Sequence, residues 1–148
     1  MLRCIGVMVF LSLVLIGCAR HRDAGRPSAR AIRRDYEHHA REAALEWLEL
    51  VDNGEYEDAL DREPSRIRAG VTVPQFIRSM RARRAPFGHV ISRTSVGSSY
   101  SRRLTGAPDA DYESLLFKTM FQHKRVAAER VIVVDDHGTW RVVDYRVY

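Results

Sequence analysis

Cysteine is almost absent from this 148-residue chain: there are two, Cys4 and Cys18, both within the first eighteen residues. From residue 19 onward there is no thiol, which excludes thiol catalysis, a disulfide framework and a cysteine-based metal site from the body of the protein. Lysine is scarce as well, with Lys118 and Lys124 set against 22 arginines. That skew follows from the codon usage of a GC-rich genome as readily as from selection for phosphate contacts. The formal charge of +5 therefore calls for no nucleic-acid partner. A long hydrophobic run is missing too. The stretch from Cys4 to Gly17, broken only by Ser12, has 14 residues, short of the ~17 that a spanning helix needs.

What that stretch does offer is a leader. Arg3, the apolar run and small residues before Cys18 follow in the order of a secretory signal, and Leu15-Ile16-Gly17-Cys18 resembles the bacterial lipobox. The expectation is a signal peptide over residues 1–17, cut before an acylated Cys18, whose acyl chains (palmitate among them) hold the protein to membrane lipid at about 0.8 kcal/mol per buried CH₂. Ala19 carries no inner-membrane retention signal of the aspartate type, so the expected location is the outer membrane, facing the periplasm. Residues 18–29 hold Gly25, Pro27 and Ser28 without apolar periodicity and read as a flexible tether. Arg20, Arg22, Arg26, Arg30, Arg33 and Arg34 lie where headgroup contact would add roughly 1 kcal/mol per charge.

Residues 30–148 are enough for one domain. Tyr36, Ala40, Ala43, Ala44, Trp47, Leu48 and Val51 recur at three- and four-residue steps, predicting a helix over about 29–52 that Asn53-Gly54 stops. A short helix follows over about 55–62, interrupted by Pro64. A third is capped by Thr72, has Pro74 in its first turn and buries Phe76, Ile77 and Met80. The period then changes from 3.6 to 2. Strands are expected over 89–103, through Leu115, Phe117, Thr119 and Phe121, over 126–134 and over 139–147, with Asp135-Asp136-His137-Gly138 as a hairpin turn. The fold class expected is α+β: three N-terminal helices on a four-stranded, mostly antiparallel sheet.

Trp47-Leu48-Glu49-Leu50-Val51-Asp52-Asn53-Gly54-Glu55-Tyr56, Ala85-Pro86-Phe87-Gly88 with Ser92-Arg93, and Asp136-His137-Gly138-Thr139-Trp140-Arg141-Val142 through Tyr145 resemble the bacterial domain-of-unknown-function 4019 family. Ala59-Leu60 and Phe76 stand where tryptophans are expected, and Asp144 where glycine is. The resemblance covers about residues 40–148. It implies a curved, cone-like sheet of the nuclear-transport-factor-2-like kind and members that often carry lipoprotein leaders, and it brings no agreed activity. Such cones often dimerise through the sheet, which makes a homodimer one expected partner arrangement.

Function has to be argued from a site. His38, His39 and Glu42 share one helical neighbourhood but lack the third ligand of a catalytic zinc, and Gly97-Ser98-Ser99 lacks the frame of a nucleophile elbow. No metal and no cofactor is expected. Glu129 alternates with Val131 and Val133, so it points into the core and needs a partner, for which Arg93 is the natural choice. An ion pair fixing strand register, a solvent-facing Glu129, and a general base with Tyr112 or Tyr145 as oxyanion donor are the three readings. Trp140 and Tyr145 fall on opposite faces of a regular strand, so one of them would face away from the core or into a partner, with Trp140 as core filler the other reading. The expected function is a non-catalytic binding or envelope-assembly module, with an isomerase-like or dehydratase-like enzyme at Glu129 as the alternative.

Overall fold

A computed structural model describes residues 28–148. The leader, Cys18 and nearly all of the tether lie outside the described residues. Among the described residues no helix is long and apolar enough to cross a membrane.

Helix α1 runs from Ala29 to Asn53, with the Ser28 side chain accepting from the Ala31 N–H at 3.2 Å at its start and Gly54 ending it. Its apolar stripe, Ala40, Ala44, Trp47, Leu48 and Val51, is buried, and each large side chain there contributes about 1.5–3 kcal/mol. Trp47 also donates its indole N–H to the Ala59 carbonyl at 2.9 Å, which pins α2 (Tyr56–Asp61) beneath α1. Pro64 does more than interrupt. It caps a one-turn helix, α3 (Ser65–Arg68), which the sequence pattern did not announce. Helix α4 (Val73–Arg84) begins as expected at Thr72, whose N–H donates to Gln75 Oε1 at 2.9 Å. After a 3₁₀ turn over Ala85–Phe87, Gly88 takes φ +72° against Gln122, where a Cβ would come within 2.7 Å of the Gln122 side chain. Only glycine passes there without displacement.

Four strands, β1 (Val90–Ser101), β2 (Tyr112–Phe121), β3 (Ala127–Asp136) and β4 (Thr139–Val147), form one antiparallel sheet in the order β1-β2-β3-β4. The α+β arrangement with helices N-terminal to the sheet is thus as expected. The β3–β4 hairpin turns through His137 (φ 56°) and Gly138 (φ 85°), the positive-φ pair that suits the twist of the flanking strands. Helix α1 packs across β2, β3 and β4 on one face of the sheet. On the other face the 102–111 connection folds back, packing Leu104, Ala107 and Ala110 on Tyr112, Ile132 and Val134.

One expectation about the sheet fails. Ile132 pairs with Asp144 but Val133 pairs with Val142, so Val143 is an extra residue in β4. This bulge reverses the alternation within the strand. Tyr145, Val142 and Trp140 consequently all turn to the helix side, with Trp140 edge-on to Tyr36 at 5.8 Å. Tyr145 is buried there and Trp140 is half-buried.

Candidate functional site

Glu129 and Arg93 meet where the sheet passes under the end of α1. Arg93 lies opposite Thr119 in the β1–β2 ladder, and Glu129 lies on β3 two residues before Val131. Arg93 Nε donates to Glu129 Oε2 at 2.7 Å and its Nη2 to Oε1 at 3.2 Å. The Thr119 hydroxyl donates to Oε2 at 2.5 Å and the Tyr145 hydroxyl to Oε1 at 2.6 Å. Glu129 is 0% exposed. Burial alone would push its carboxyl up, but the Arg93 hydrogen bonds and charge, with Thr119 and Tyr145, outweigh burial and hold it below the usual carboxylate range. Burial first, and then the Glu129 charge, raise the Tyr145 phenol well above its ordinary value. Such a carboxylate is ionised, fully hydrogen-bonded and sealed from solvent.

Tyr112, the other tyrosine considered as an oxyanion donor, is not part of this cluster. It sits on the opposite face of β2 and donates to the Pro108 carbonyl at 2.6 Å.

Two members of the cluster were not singled out from the sequence. Asp52, in the last turn of α1, accepts from Arg93 Nη1 at 2.7 Å and from Arg84 Nη2 at 2.9 Å. Arg84, the last residue of α4, is buried with its guanidinium 4.6 Å over the Phe121 ring. Two guanidiniums and two carboxylates therefore alternate from α4 through α1 to β1 and β3, and their charges cancel. A helical signal for both was present. Asp52 follows Leu48 by four residues, and Phe76, Met80 and Arg84 are one stripe at four-residue steps.

A second buried acid closes the other end of the helix–sheet interface. Glu113, also 0% exposed, accepts from Arg33 Nη2 at 2.6 and 2.8 Å, and the Arg33 guanidinium lies 4.6 Å over Tyr100. Arg33 is thereby committed to the domain and leaves the set of tether charges available to a membrane. The sequence signal for Glu113 was its alternation with Leu115, Phe117 and Thr119.

A third buried acid is different. Glu63, 7% exposed, lines an open cleft of about 270 Å³ with Trp47, Val71, Phe76, Met80 and Arg83. Burial pushes its carboxyl up to about 7, against the lowering effect of Arg83. Among the described residues it is a buried carboxyl raised toward neutral pH that also lines a cleft, a combination found at ligand-contacting groups. No periodicity flagged it, because it stands alone between α2 and Pro64.

The remaining sequence candidates are ordinary. His38 Nε2 lies 3.2 Å from Glu42 Oε1 on the exposed side of α1. Ser98 and Ser99 are paired with Leu115 and Ser114 in the regular ladder, not in a strand-to-helix turn.

No curated protein and no solved structure matches the chain. A family model described as "Protein of unknown function (DUF4019)" matches residues 43–145, from the middle of α1 to the bulged end of β4. With most of its length so matched, the chain belongs to the DUF4019 family.

Proposed function

We propose that this protein is an envelope lipoprotein, anchored through an acylated Cys18 in the outer membrane with its domain facing the periplasm, and that the domain binds a ligand or an envelope protein without covalent chemistry. The lipobox-like Leu15-Ile16-Gly17-Cys18 supports the anchor. The single observation that carries the non-catalytic part is the state of Glu129: 0% exposed, four times hydrogen-bonded and held ionised. A general base needs a reachable lone pair and a pKa near the working pH, and Glu129 has neither. This arrangement counts against the isomerase-like or dehydratase-like alternative at Glu129. The nuclear-transport-factor-2-like cone is part of the same proposal, supported by helices that precede an open antiparallel sheet and cover one of its faces.

Two measurements test the two halves. Mass spectrometry of the N-terminus from membrane fractions is expected to find an acylated Cys18, and Cys18→Ser to release the protein from that fraction; an unacylated soluble product removes the anchor. Glu129→Gln is expected to lower unfolding stability. A fully stable Glu129→Gln protein would remove the structural role assigned to this residue.

A further inference from the structure

A separate cleft lies on the face of the sheet away from α1. Between the 102–111 connection, α3 and strands β3 and β4 there is a recess of about 590 Å³. Its floor is apolar, built from Leu104, Ala107, Ile132 and Val143. Its charged lining is Arg66, Arg130, Arg146 and one acid, Asp144. That acid is already shared, lying 3.3 Å from Arg130 Nη2 and 3.2 Å from Arg146 Nε. Two guanidiniums thus share one carboxylate while Arg66 lines the same recess, so three positive charges face a single negative one. Arg130 Nε is in addition buried without a hydrogen-bond partner among the described residues, so Asp144 satisfies the Arg130 guanidinium only in part.

An apolar floor under a cationic lip matches an anion carried on an apolar body, since guanidiniums bind phosphate and carboxylate in a forked geometry and the floor removes a chain from water. We propose that this recess binds a single-chain anionic amphiphile, with its phosphate or carboxylate on Arg66 and Arg146 and its chain over Ile132 and Val143. The concavity selects one molecule at a time; docking on a bilayer surface would call for the same charges on a protruding face. The proposal deepens the binding-module reading and rests on it by naming the ligand class.

The test titrates octyl phosphate, below its micelle concentration, into the full chain held in phosphatidylcholine nanodiscs, with empty discs as the reference and calorimetry as the readout. Inorganic phosphate and uncharged octyl maltoside are titrated in parallel. Octyl phosphate is expected to bind at least about tenfold more tightly than either, and the Arg66→Gln/Arg146→Gln double variant to weaken it by about tenfold or more with an unchanged thermal midpoint. Ala107→Glu, which puts a carboxylate on the floor, gives the same loss and serves if the double variant does not fold. Inorganic phosphate or octyl maltoside binding as well as octyl phosphate, or full binding by the folded variants, overturns the proposal. So does arginine-dependent binding seen only with phosphatidylglycerol vesicles, which would make the face a membrane contact. Neither the Cys18 mass nor the stability of Glu129→Gln depends on this recess, so its failure is distinguishable from failure of the broader reading.

Discussion

Glu129 and Glu63 are both buried carboxyl groups in the same small domain, yet their surroundings push them in opposite directions. Glu129 has Arg93, Thr119 and Tyr145 around it and is held ionised. Glu63 has apolar neighbours and only the more distant charge of Arg83, and its carboxyl rises to about 7. Burial is common to both, so burial does not decide what a carboxyl becomes; the supply of donors does. The better-paired acid is the structural one, and the poorly paired acid is the one left facing a cleft.

The largest effect that tests this contrast comes from Arg93→Met. It leaves Glu129 and Asp52 without their shared cation in a region with little access to water, and breaking a buried pair in this way costs about 3–5 kcal/mol. Urea unfolding at neutral pH measures it, and a loss below about 1 kcal/mol would mean the network is solvated. Glu63→Gln works in the other direction. Its folded-state pKa lies above the unfolded value, so the folded chain retains a proton that the unfolded chain gives up. The contribution is full below about pH 4.5 and is lost as pH rises toward about 7. The variant is expected to match the parent at pH 4.5 and to be the more stable by roughly 3 kcal/mol at pH 8, checked by unfolding at both pH values.

Arg33→Gln, at the far end of α1, leaves Glu113 buried with a weaker partner. It is expected to cost about 1–3 kcal/mol, less than Arg93→Met because Arg33 is itself 38% exposed. The smallest effect is expected outside all three acid sites. Gly138→Ala, at φ 85° in open space, introduces only backbone strain of about 1 kcal/mol. If it cost as much as Arg93→Met, the ranking of paired charge over backbone strain in this domain would be wrong.

Much of this was legible from the chain, for physical reasons that differ by region. The helices and strands follow from apolar spacing and from caps such as Thr72 and Gly54, all of which act within a few residues. The Arg93–Glu129 contact was legible because strand alternation is rigid and a core-facing carboxylate must find a cation. Asp52 and Arg84 join that contact from two helix ends, and nothing local states that those ends converge on β1. The Val143 bulge is the instructive miss. One extra residue brings both aromatics to the helix side where a regular strand would separate them, and the run Trp140 to Tyr145 contains no glycine or proline to mark it. The missed α3 has the same origin, since Pro64 both ends one helical pattern and caps the next.

The carboxyl ¹³C shifts of Glu129 and Glu63, followed by NMR across pH 3 to 9, test the contrast most directly. Glu129 is expected to stay ionised down through the ordinary carboxylate range, with no step above pH 4.5, while Glu63 titrates near pH 7. A Glu129 step between pH 5 and 8 would contradict this directly, since it would reveal a carboxyl poised for proton transfer where a closed ion pair has been assigned.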